Sequence, residues 1–244
     1  MTPKKELRLA LIWIVAYVVI MSIFDNIFTG EVQETMRIIP SGLFLAVMMI
    51  TLNKSHRLNQ YGFISFQDFP WKATLYLLPM LVLSTVNLWN GTVLRYSPWV
   101  SVLSILSMFC IGFIEEILFR GLLLKALLHR SVGFAITISS LTSGLGHIVN
   151  LLSGADLGST LLQLVYALAI GLMLSVFVVK TGNILPCCLF HGLFNALSVF
   201  CNESGWTMQF QIIVCIIITA VSAGYALYLW KNKKLPSVWG LEQE

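Results

Sequence analysis

The chain has 244 residues, 57% of them hydrophobic and 11% charged, with a mean hydropathy of +0.85 and a formal net charge of +4. These values lie far from soluble averages and exclude an ordinary soluble globular protein, leaving an all-α, polytopic membrane helix bundle. Shared among spans of about 20 residues with short loops, the length allows roughly seven or eight helices and no separate soluble domain, so residues 1–244 read as one transmembrane helical domain.

Lys4, Lys5 and Arg8 precede an apolar run from Leu9 to Phe24. The run ends in Asp25-Asn26 without a small-x-small cleavage pattern, and is read as a retained first helix rather than a secretory signal. Further apolar spans fall near 38–52, 73–89, 101–124, 133–149, 158–179, 184–200 and 208–230, which makes about eight transmembrane helices in all. The longest connection on the side of the N-terminus, 53–72, mixes Tyr61, Phe63, Phe66, Phe69 and Trp71 with polar residues and reads as an aromatic belt lying in the membrane interface.

Taken with every second connection, the N-terminal side collects twelve of the 15 basic residues, while the other side holds Arg37 and Arg95 among Asp25, Glu31, Glu34, Asp156 and Glu203. The positive-inside rule then places both termini in the cytoplasm. Loop bias and contact with anionic membrane lipid account for the net charge, so no nucleic-acid partner is implied. The five cysteines all fall in or beside apolar segments, where they pack as small hydrophobes; Cys187-Cys188 ahead of His191 is not a standard zinc spacing.

The fourth span carries the most informative residues, Glu115, Glu116 and Arg120. Each ionised group near a bilayer centre costs on the order of 3 kcal/mol, so three cost roughly 9 unless they pair or meet water. Residues four apart share a helix face, so Glu116 and Arg120 form an ion pair with the acid first. Glu115, about 100° away around the axis, is free to face a different cavity, and is the candidate general base. The bland alternative is a helix–helix clasp, which would need only one of the two acids.

His147 lies in the fifth span after Ser143-Gly144-Leu145-Gly146, where glycines let another helix approach closely. By itself it is as compatible with a packing histidine as with a residue that orients water. His191 and Asn195 share a face of the seventh span and present N–H donors suited to an oxyanion hole, or alternatively to an interhelical clasp. At 1.5 Å per residue, Glu115 and His191 fall roughly 10–14 Å from the cytoplasmic face and His147 about 20 Å, a mismatch that tilt would have to absorb.

The run Glu115-Glu116-Ile117-Leu118-Phe119-Arg120-Gly121, then solitary His147, then His191-x-x-x-Asn195, resembles the CPBP intramembrane proteases, also called the Abi family, which include the type II CAAX prenyl endopeptidases. The resemblance covers about 101–200, which it marks as the catalytic core. It implies a membrane-embedded endopeptidase in which Glu115 and His147 activate water, His191 and Asn195 stabilise the oxyanion, and Glu116 with Arg120 support the site. The implied substrate is a peptide or protein, lipidated or not, and the implied roles include CAAX-type processing and bacteriocin self-immunity.

Relatives are described both as metalloproteases and as metal-free glutamate enzymes. No cofactor is firmly implied here; a divalent metal such as zinc would be held by Glu115, His147 and His191. One position departs from the family pattern: Ser143 stands where a Phe usually precedes the histidine by four residues, making the site wall smaller or more polar. The short chain without organelle targeting signals points to a bacterial cell membrane. Two other classes stay open at this level, a non-catalytic scaffold of the same fold and a proton-coupled carrier using Glu115 and His147. The absence of matching polar positions between the two halves weighs against a carrier.

Overall fold

The computed structural model describes residues 2–55, 58–63 and 77–232. Along the chain these form α1 (Pro3–Ile27), α2 (Gly30–Met36), α3 (Ile38–Lys54) and α4 (Leu78–Ser84). Next, α5 (Pro98–Glu116) runs unbroken through a π-helical segment, Ile117–Leu124, into α6 (Lys125–Leu128). α7 (Val132–Leu145) tightens into a 3-10 stretch, Gly146–Ser153, and α8 (Leu157–Thr181), α9 (Leu185–Leu197) and α10 (Met208–Asn232) complete the bundle. Among the described residues there is no strand; a single bridge pairs Thr92 with Cys201.

Among the described residues, six helices are long and apolar enough to cross a membrane: Pro3–Ile27, Gly30–Lys54, Pro98–Leu128, Val132–Leu152, Leu157–Thr181 and Met208–Asn232. The chain is therefore an all-α polytopic integral membrane protein. Leu78–Leu88 and Leu185–Phe200 are shorter apolar helices at the places of the expected third and seventh spans. Residues 73–76 of the third span, and Phe66, Phe69 and Trp71 of the expected aromatic belt, lie outside the described residues. Tyr61 departs from that belt: it is 1% exposed, with the Lys125 ammonium 4.8 Å from its ring centroid. A ring with a cation over its face is better placed inside the bundle than at the lipid interface.

Burial follows helical periodicity. In α1, Ala10, Ile14, Tyr17 and Met21 face inward at three- and four-residue steps, whereas Leu11, Ile12, Val15, Val19 and Ile23 stay exposed. Exposed aliphatic side chains cost nothing against lipid tails, so the inner stripe is distinguished by packing rather than by hydrophobicity alone. α8 is the most enclosed helix, packed between α7 and α10. Its small-residue row Ala167, Gly171 and Ser175 abuts Ser139 and Ser140 of α7, with Ser175 Oγ 3.4 Å from Ser139 Oγ and Ser140 Oγ 3.3 Å from Ser175 Oγ. Small residues let helices close up where no hydrophobic force drives them together.

Helix starts are set locally. Ser97 and Ser131 accept from backbone N–H groups in the first turns of α5 and α7, and Asp156 does so for α8. The Ser159 N–H beside Asp156 holds its carboxyl below the ordinary carboxylate value. Gly182, with φ of 70°, ends α8 in the left-handed conformation that few other residues adopt. α9 then begins inside the bundle: Ile184, Cys187 and Cys188 are 0% exposed, and Ile184 N–H donates to Gly62 O at 2.9 Å.

Candidate active site

The site is built where α5 crosses α9. A Cβ on Gly112 would fall 2.5 Å from Gly192 N, so the two helices meet backbone to backbone. One turn beyond this contact α5 presents Glu115 and Glu116, while on α9 His191 directly precedes Gly192 at the contact itself. Glu116 is wholly buried, and its Oε1 accepts from Arg120 Nη1 at 2.9 Å and from His191 Nδ1 at 2.8 Å. His191 Nδ1 therefore carries a proton, and its Nε2 is turned toward Glu115 Oε2, 3.5 Å away.

The expected Glu116–Arg120 pair forms across the junction between α5 and the π-helical segment, not within a regular α-helix. A π turn widens the backbone spacing and leaves carbonyls to be satisfied from outside. Ser139 Oγ donates to Phe119 O at 2.8 Å and supplies that bond. Arg120 is 1% exposed and gives a second bond from Nη1 to Ser143 Oγ at 3.1 Å. A Cβ on Gly171 would lie 3.2 Å from Arg120 Nη2 and 3.3 Å from Ser140 Cα, so this glycine of α8 makes room for the guanidinium.

Glu115 faces the other way, as its 100° offset predicts. Its Oε1 accepts from the Tyr17 hydroxyl of α1 at 2.8 Å. It shares a cavity of about 140 Å3 with Tyr17, Asp25, Ser143, His147 and Asn150. A second hollow of about 50 Å3 is lined by Glu116, Arg120, Ser143, His147, His191 and Asn195. Ser143 and His147 line both, so Glu115, His147, His191 and Asn195 border two adjoining spaces. His147 rides on the 3-10 stretch beyond the end of α7, not on the α-helix expected for 133–149. Gly144 packs against α8, where a Cβ would meet Leu168 Cδ2 at 2.6 Å.

Sequence reasoning missed Tyr17 and the helix-contact glycines Gly112, Gly192 and Gly171. Tyr17 was marked only by a lone hydroxyl on the inward stripe of α1; pairwise glycine contacts leave no signal in one chain. Among the described residues, no three of His, Cys, Asp and Glu gather as a metal site would require. Cys187 and Cys188 sit in the core as free thiols. The Nδ1–H bond from His191 to Glu116 leaves Nε2 as the ring nitrogen that faces Glu115.

A bundle of membrane helices thus encloses this carboxylate–imidazole cluster in an integral membrane protein. Residues 97–197 match the family model described as Rce1-like, type II CAAX prenyl endopeptidase, which supports a peptidase at the coarse level. A search of the curated proteins found no match. The matched segment spans α5 to α9 and contains each candidate site residue named from sequence, while Tyr17 lies outside it.

Proposed function

We propose that the protein is an intramembrane endopeptidase of the metal-free glutamate type, acting on a peptide or protein substrate. The observation that carries the reading is the convergence of Glu115, His147, His191 and Asn195 on two adjoining cavities inside the bundle. The larger, about 140 Å3, has room for several waters and polar walls to hold them.

In this reading Glu115, oriented by the Tyr17 hydroxyl, takes a proton from a water that His147 helps to position, and the oxygen attacks the substrate carbonyl. Negative charge develops on the carbonyl oxygen, where His191 Nε2 and the Asn195 amide donate to it. Because Nδ1–H is committed to Glu116, donation from Nε2 requires the imidazolium form, whose charge Glu115 and Glu116 balance. Glu115 then passes its proton to the leaving amine, which balances the step. Glu116 and Arg120 hold the ring and touch no substrate.

The basic residues put both termini on the cytoplasmic side of a bacterial cell membrane in this reading. The test is a cleavage assay on purified protein in lipid with a peptide library, with and without chelator, comparing wild type with Glu115→Gln and His191→Ala. Cleavage by the wild type that survives chelator and is lost in both variants supports the proposal. Equal turnover by all three removes the catalytic assignment, and loss on chelation removes the metal-free form.

A further inference from the structure

A third hollow of about 360 Å3 lies beside the site, with Asn87, Arg95, Ser159, Gln163, Tyr166 and Gln211 in its wall. Gln163 and Tyr166 also line the cavity of His191 and Asn195. Gln163 Oε1 accepts from Asn150 Nδ2 at 3.0 Å, and Asn150 belongs to the cavity of Glu115 and His147. The Asn150–Gln163 pair and Tyr166 thus form the partition at which all three spaces meet.

The chamber opens at the end of the bundle away from the chain termini. Arg95, Ala155, Ser198 and Glu203, all in its lining, belong to connections on that end. Toward the termini the described residues form a packed plug: Ile117, Leu118, Leu124 and Ile184 are 0% exposed, and Lys125 pairs with Glu6 across them. The chamber's volume lies in the range of ligand pockets. Its wall is mixed: Asn87, Ser159, Gln163, Tyr166 and Gln211 stand beside Leu162, Trp206 and Val214, and the Arg95 guanidinium is already taken by Glu203 and by Ser198 O at 3.1 Å. Amide and hydroxyl groups set among apolar ones, with the cation already paired, suit an extended peptide better than an anion or a hydrocarbon chain.

Resting on the peptidase reading above, we propose that this chamber is a subsite for an extended, unlipidated stretch of polypeptide flanking the scissile bond, entered from the face opposite the termini. With the termini cytoplasmic, substrates are then presented from outside the cell.

Two measurements test it. In the first, peptides cut by the wild type are offered short and extended by four residues on either side, to wild type, to Ser159→Trp, which fills the chamber, and to Leu161→Trp on the lipid-facing side of α8. The expected result is that the preference for an extended over a short peptide, in kcat/KM, falls at least tenfold in Ser159→Trp only. An unchanged preference overturns the subsite. In the second, p-benzoylphenylalanine replaces Ser159 in a Glu115→Gln background in lipid vesicles, and photo-crosslinking to the same peptide library is read without turnover. Crosslinks competed by free peptide support the chamber even if the wild type cuts nothing, in which case the peptidase reading alone fails. Intact cleavage without crosslinks overturns the chamber and leaves the peptidase standing.

Discussion

Gly112 and Gly192 face each other so closely that a methyl group on the first would lie 2.5 Å from the backbone nitrogen of the second. This contact sets the distance between the carboxylates of α5 and the imidazole of α9. Overpacking at such a point costs about 1–3 kcal/mol and displaces backbone. Gly112→Ala is expected to lower the unfolding temperature in lipid and to abolish peptide cleavage, because a shift of about 1 Å separates His191 from both glutamates. Thermal unfolding and turnover measured on the same sample check it. Wild-type turnover in Gly112→Ala would show that the crossing does not position the site.

Glu115 and Glu116 adjoin in sequence but carry different burdens. Glu115→Gln is expected to fold normally and lose turnover. Glu116→Gln removes the charge that the buried Arg120 and the His191 ring share, and breaking a buried pair this way costs about 3–5 kcal/mol. Its expected signature is loss of folded protein before any kinetic effect is read. Denaturation curves for the two variants separate the roles; similar curves would contradict the division.

Tyr17 reaches the site from α1, outside the matched segment. Hydrogen bonds to charged groups are worth about 1.5–3 kcal/mol, which at about 1.4 kcal/mol per factor of ten corresponds to roughly a ten- to hundredfold effect. Tyr17→Phe is expected to lower kcat by that order with KM and unfolding temperature nearly unchanged. A rise in KM with kcat intact would instead make Tyr17 a substrate contact.

Ser143 stands four residues before His147; its hydroxyl accepts from Arg120 while its side chain lines both cavities. Ser143→Ala removes one acceptor from a buried guanidinium and is expected to cost about 1–3 kcal/mol in stability. Ser143→Phe places a ring where both cavities meet, and is expected to lower kcat/KM for peptides at least tenfold. Parallel kinetics and unfolding on the two variants check both statements.

Much of this site was legible in the chain. Three ionisable residues in an apolar span are so costly that a shared polar cavity was the economical reading. The four-residue spacings of Glu116–Arg120 and His191–Asn195 follow from helical geometry alone. Among the described residues, six helices are long enough to cross a membrane and two shorter apolar ones stand at the places of the expected third and seventh spans, residues 73–76 of the third lying outside the described residues.

Hydropathy, helical period and charge placement are local properties, so the sequence by itself determined the membrane bundle and the residues to inspect. Which side chains touch depends on how helices cross, and crossings depend on pairs of small residues distant in sequence. Only the tertiary structure therefore decided that Tyr17 holds Glu115, that Glu116 is shared between Arg120 and His191, and that His147 sits on a 3-10 turn.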